Sequence, residues 1–155
     1  MERRTLWSCI TVTLMAGLAA GCNKSSRPAA ATAGAAGAGG VPTISDIMQQ
    51  VNKRKSGVHT EVGEALQAES VDWAAVEPKT KNYAALADFL GKNDPPKGDK
   101  TSWESLTTAY AADAQTLHAA AEKKDKDAAL AAHQKLSDSC MGCHRSHREM
   151  RGKGK

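Results

Sequence analysis

From residue 43 onward, apolar side chains recur at intervals of three and four, and nowhere do they alternate as a half-buried strand would. Ile44, Ile47 and Met48, Val51, Val58, Val62 and Leu66 mark one stripe. It predicts a first helix over about 44–68, opened after Pro42 by Thr43 with Asp46 three residues on, although Lys55 interrupts the stripe and Gly57 and Gly63 weaken it. A second pattern begins at Val71, Trp73 and Val76, meets Pro78, and resumes through Tyr83, Leu86, Phe89 and Leu90 to Gly91. This is read as a kinked helix or two short pieces. Residues 92–100 are loop by composition. Thr101-Ser102-Trp103-Glu104 has the form of a capping box, and Trp103, Leu106, Tyr110, Ala114, Leu117 and Ala121 stripe a third helix. The charged run 123–127 reads as a turn, and a fourth helix over about 127–150 aligns Ala129, Ala132, Leu136, Cys140, Cys143 and His147. The expected fold is all-α, an antiparallel four-helix bundle.

The first 42 residues do not follow this pattern. Glu2, Arg3 and Arg4 precede an apolar run from Leu6 to Ala20, the layout of an export signal, too short for a membrane span. Leu18-Ala19-Ala20-Gly21-Cys22 resembles a bacterial lipobox, departing from it at Ala19, where a larger aliphatic residue is usual. Residues 1–21 are therefore expected to be removed, leaving Cys22 lipidated at the mature N-terminus; the alternative is an ordinary signal cut nearby. Residues 22–42, rich in Ala and Gly, cannot bury enough surface to order themselves, and form a tether with a reach of roughly 25 Å. The expected location is periplasmic or otherwise extracytoplasmic, anchored to a membrane by lipid. Setting aside Arg3, Arg4, Lys24, Arg27 and Glu2 from the chain's 21 basic and 17 acidic residues leaves the domain near neutrality, so nothing points to nucleic acid.

The chemistry lies near the C-terminus, in Cys140-Met141-Gly142-Cys143-His144. C-x-x-C-H is the attachment signature of c-type haem: two thiols bond the porphyrin and the adjacent imidazole supplies an axial ligand. On a helix, Cys140, Cys143 and His144 share one face. The rival readings are a zinc half-site, which needs further ligands from scattered histidines, and a redox dithiol, which wants a βαβ setting. Of the chain's four cysteines, Cys9 falls in the signal and Cys22 takes lipid, so Cys140 and Cys143 remain for one covalent haem c and none is left for a disulfide. The stripes are rich in Ala, with Trp73, Tyr83, Phe89, Trp103 and Tyr110 the aromatic residues of the domain. So thin a core leaves room for a large flat ligand and predicts an apoprotein that is loosely folded.

A four-helix bundle with this motif near the end of its last helix, followed by Arg148, resembles the class II c-type cytochromes, the cytochrome c′ family and its low-spin, Met-ligated relatives. The resemblance covers about residues 43–151, with a basic tail at 152–155. It implies His144 as the proximal iron ligand and Arg148 as a cation beside it, while His147 stands where the family has an aromatic residue. Electron-carrying relatives place a Met of the first helix on the iron, a position that Met48 matches; the c′ members leave that face five-coordinate. Met141 is poorly placed for that role, and Met150 lies beyond the motif. His59 is the rival distal ligand, read otherwise as a surface residue; on one continuous helix it would stand about 16 Å from Met48. His118 and His133 read as surface or partly packed, and His147 as a neighbour of the haem edge. Arg145, Arg148, Arg151, Lys153 and Lys155, with Lys53, Arg54 and Lys55, offer charge for haem propionates or an acidic partner. The expected function is a membrane-anchored, one-electron carrier, not an enzyme, with a redox protein as its partner; the alternative is a five-coordinate haem protein that binds NO or CO. The resemblance also implies a homodimer through the first two helices.

Overall fold

The computed structural model describes residues 40–148, and the expected signal, Cys22, most of the tether, Met150, Arg151, Lys153 and Lys155 lie outside them. Five helices run in order: α1 Ile44–Asn52, α2 Val58–Gln67, α3 Trp73–Leu90, α4 Lys100–Glu122 and α5 Lys126–His147. Helices α2, α3, α4 and α5 each pack on the next, and α5 returns to α2, closing an antiparallel four-helix bundle. The pairings fix the direction: Glu61 meets Lys79 across α2 and α3, Tyr83 meets Tyr110 across α3 and α4, Ser102 meets His147 across α4 and α5, and Lys126 reaches Ala68 at the end of α2. Helix α1 packs only on α2 and α3.

The expected first helix is thus two. Its stripe holds, with Ile47, Val51, Val58, Val62 and Leu66 all buried, but the chain turns at residues 53–57. Lys53 caps α1, Lys55 takes the left-handed conformation at φ 64°, and Gly57 donates to Lys53 O at 2.7 Å. A Cβ at Gly57 would strike the Val51 carbonyl and come within 2.6 Å of Lys53 N, so only glycine permits this reversal. The Thr43 and Asp46 capping box forms as expected.

Pro78 does not divide the second element. It sits in the second turn of α3, on the exposed side, where its missing N–H costs one bond that Asp72, the N-cap, offsets by accepting from Ala75 N–H. The Thr101 capping box does not form either; Asp99 caps α4 one residue before Lys100, accepting from Ser102 N–H at 2.7 Å. Asp125 caps α5, which ends at His147 rather than near 150.

The α4–α5 turn closes on Lys124, at φ 56°, with Lys124 N–H on Ala121 O and Asp125 N–H on Ala120 O. Glycine is the residue best suited to this left-handed position after a helix. Lys124→Gly is expected to stabilise the fold by about 1 kcal/mol in urea denaturation, while Lys124→Val should destabilise it.

The core is one cluster spanning all five helices, in which Ala84, Ala87, Ala114, Ala120, Ala121, Ala129 and Ala132 let the helices approach closely. On α5 the buried side chains are Ala129, Ala132, Leu136 and His147. No side chain is fully buried between Leu136 and His147, the stretch that carries the motif.

Candidate haem site

The motif occupies the last two turns of α5. Cys140 and Cys143 are free thiols, half-buried, and His144 is half-buried beside them. Cys140 Sγ–H donates to Leu136 O at 3.2 Å, and Cys143 packs against the edge of the core. Met141 points away at 56 % exposure, and a Cβ added at Gly142 would meet nothing within 4 Å. The two thiols and the imidazole therefore share a face that the protein itself leaves half-covered.

Burial raises the pKa of both thiols above the ordinary range, so both stay protonated at neutral pH. A reactive redox dithiol sits where the thiolate is favoured, typically at a helix N-terminus, whereas these lie near a C-terminus. Among the described residues no group of three or more His, Cys, Asp or Glu stands close enough to hold a metal ion. For His144, desolvation and then the charge of Arg148 lower the pKa, favouring the neutral imidazole that an axial ligand requires. Arg148 itself is the exposed, extended C-cap of α5, donating its N–H to His144 O at 3.2 Å. The donor set thus fits a covalently held haem: two thiols one turn apart, a neutral imidazole at i+4 from the first, and between the thiols only the exposed Met141 and Gly142.

Met48 lies at the same end of the bundle. Asn93, in the α3–α4 loop, donates from Nδ2 to Pro42 O just before α1, while Lys97 of that loop accepts from His147 at the end of α5. Met48 and His144 each stand within about two turns of this closed end. Met48 is partly buried against the core, and Asn52 Nδ2 donates to its Sδ at 3.6 Å. With Ser45, Gln49, Asn52 and Lys53 it borders a surface depression of about 390 Å³. Because α1 touches α2 and α3 but not α5, the structure brings Met48 to the level of the site without direct contact with the helix that carries His144.

His147, expected as a neighbour of the haem edge, is a buried strut, 2 % exposed. Its Nδ1–H must be the donor to the Lys97 carbonyl at 2.9 Å, which leaves Nε2 to accept from Ser102 Oγ at 3.2 Å when the ring is neutral. The ring lies edge-on to Trp103, with centroids 5.3 Å apart, and Trp103 Nε1 donates to Asn93 O at 2.7 Å. Gly98, at φ 83°, passes so close that a Cβ there would come within 3.0 Å of His147 Nδ1. The position usually filled by an aromatic is filled by an imidazole that also ties down the loop.

His59 is likewise no surface residue. It sits at the start of α2, half-buried, with Nδ1 3.0 Å from Tyr83 Oη and Nε2 3.1 Å from Ser137 Oγ, and its ring stacks on His133 with centroids 4.2 Å apart. Gly63 makes the space: a Cβ there would come within 2.8 Å of the His133 ring. The turn at residues 53–57 also removes the straight-helix separation expected between Met48 and His59. Tyr83 Oη stands 2.9 Å from Tyr110 Oη, and burial raises the pKa of both phenols. This polar layer lies deeper in the bundle than the motif. Its members were visible in the sequence only as stripe residues and scattered histidines; a pair of tyrosines whose hydroxyls need partners in the core was the available signal. His118 is partly packed, 3.2 Å from Thr80 Oγ1.

The family model described as Cytochrome C' matches residues 97–148, which begin in the loop held by His147 and run through α4 and α5 to Arg148. No curated protein and no solved structure gives a match. Over the two helices that carry and brace the CxxCH turn, this chain is therefore similar to the cytochrome c′ family, a match that supports a class II c-type cytochrome with a haem cofactor.

Proposed function

We propose that the protein is a monohaem c-type cytochrome that carries single electrons and performs no catalysis of its own. The observation that supports it is the shared, half-covered face of Cys140, Cys143 and His144 on α5. Bound there, haem supplies an iron that changes its charge by one electron. Cys140 and Cys143 would hold the group through thioether bonds, and His144 would offer its ring nitrogen from the proximal side. Met48, near the same end of the bundle, would offer a thioether sulfur from the other side after releasing Asn52; Met/His ligation favours a high potential. Saturated coordination with little rearrangement suits electron transfer. Arg148 would keep His144 neutral and add positive charge near the site.

The reading extends to Cys22 as a lipid anchor outside the cytoplasm, with residues 23–42 as a tether that concentrates the domain near a membrane-bound redox protein. Among the described residues no helix is long and apolar enough to cross a membrane. A homodimer through α1 and α2 belongs to the same proposal. The Asn52 contact on Met48 favours a second reading: if Met48 stays engaged with Asn52, the iron is five-coordinate and binds NO or CO.

The test is the visible spectrum of the purified protein, oxidised and reduced, followed by carbon monoxide. The carrier reading expects a low-spin spectrum unaffected by carbon monoxide, and Met48→Ala should convert it to a high-spin, carbon monoxide-binding form. A wild-type spectrum already high-spin, and unchanged in Met48→Ala, would replace the carrier by the gas-binding protein. No haem spectrum at all from a host that matures c-type cytochromes would refute both.

A further inference from the structure

The hydrogen-bond layer beneath the motif has a direction that its partners impose. Ser137 Oγ–H donates to the His133 carbonyl at 3.1 Å, and a hydroxyl has one hydrogen to give. Ser137 must therefore accept from His59, which places a proton on His59 Nε2. In the neutral ring His59 Nδ1 is then an acceptor, so Tyr83 O–H donates to it, and Tyr110 O–H donates in turn to the Tyr83 oxygen. His133 Nε2–H is committed separately, to the His59 carbonyl at 2.9 Å. The chain runs one way, from buried Tyr110 to half-exposed His59.

Protonating His59 reverses it. One hydronium becomes water, one N–H bond forms at Nδ1, and that N–H now donates to the Tyr83 oxygen. Tyr83 has a single hydrogen, which turns to the Tyr110 oxygen. The Tyr83 hydrogen then lies between the two oxygens, so Tyr110 must direct its own hydrogen away from Tyr83. We propose that His59, Tyr83 and Tyr110 form a reversible relay that carries the protonation state of His59 into the buried core, anchored through Ser137 on α5, three residues before Cys140. The effect on haem rests on the function proposed above; the relay itself rests on the hydrogen bonds alone.

The groups that face His59 are Tyr83 from α3, Tyr110 behind it from α4, and His133 from α5; Glu61 and Lys79 are paired with each other at 2.6 Å, and α1 adds no charge that shifts the ring. Burial, and then repulsion from the stacked His133, lower the His59 pKa to about 4. Below that value the reversed chain is the stable one. Tyr83 and Tyr110 are raised by burial and stay neutral throughout, as a relay of hydroxyls requires.

The experiment follows the holoprotein from pH 7 down through about 4, recording the haem spectrum and midpoint potential, with far-UV circular dichroism to confirm that the helices persist. Wild type is expected to show a one-proton transition near pH 4. His59→Gln, at a half-exposed site, and Tyr83→Phe, which keeps the ring and cuts the chain, should each abolish it. Absence of the transition from wild type, or its survival in either variant, would overturn the relay; survival in Tyr83→Phe alone would mean that the His59 charge acts through space. Nitrogen-15 NMR of the His59 ring gives a reading independent of haem: the neutral ring should carry its proton on Nε2, and a proton on Nδ1 would overturn the relay. Protein purified without haem but with the Nε2–H form would count against the cytochrome function and leave the relay standing.

Discussion

Protein in which Cys140 and Cys143 are both replaced by Ser is expected to carry no covalent haem, seen as complete loss of haem staining after denaturing electrophoresis, whereas either single variant should retain a weaker, single-thioether signal. The reason is positional. The two thiols lie one turn apart on α5 and are the free cysteines of the described bundle, so the double variant leaves nothing there for a vinyl group to bond. A second consequence follows for stability. Side chains on α5 stop being fully buried after Leu136 and resume only at His147, so these turns rely on a ligand to cover their inner face. The double variant should lose roughly 2 kcal/mol, or about 10 °C in thermal midpoint, while keeping most of its helical circular dichroism. Full retention of both haem and stability would refute the assignment of the motif.

His147→Ala is expected to be the most disruptive single change away from the thiols, costing about 3 kcal/mol in urea denaturation. It removes a buried ring that lies edge-on to Trp103 and leaves the Lys97 carbonyl and the Ser102 hydroxyl without their partner. It also frees the loop before α4 from the end of α5, three residues past His144. His147→Phe restores the ring contact but neither hydrogen bond, and should recover about half of the loss. If Phe restored full stability, packing alone would explain the position and the loop tie would be idle. If both variants were neutral, the strut described above would be wrong.

Most of the helical stripes were legible because buried apolar residues follow the 3.6-residue period whatever they pack against, and Ile47, Val51, Val62, Leu66, Leu117 and Leu136 are all buried where that period placed them. The break in the first helix was only hinted at. Lys55 and Gly57 each weakened the pattern, but a left-handed residue followed by a glycine becomes a reversal only when two helices have separate surfaces to cover, and α1 covers α2 and α3 while α2 alone reaches α5. Pro78 misled in the opposite direction, since a proline on the solvent side of an early turn costs little beside the burial of Val76, Thr80 and Tyr83 around it. Asp99 took the cap from Thr101 because the side chain that meets the first free N–H groups depends on where the loop enters the helix, and His147 helps to set that entry through Lys97.

The candidate site divides in the same way. C-x-x-C-H carries its chemistry in its spacing, so Cys140, Cys143 and His144 could be named from the chain alone, as could the all-α class, because both depend on residues near one another in sequence. The roles of His59, His133 and His147 depend on partners 24 to 78 positions away, among them Tyr83, Ser137 and Lys97. A histidine is equally at home on a surface and inside a bundle, and only the tertiary structure, by supplying or withholding hydrogen-bond partners and solvent, decided which of these it would be.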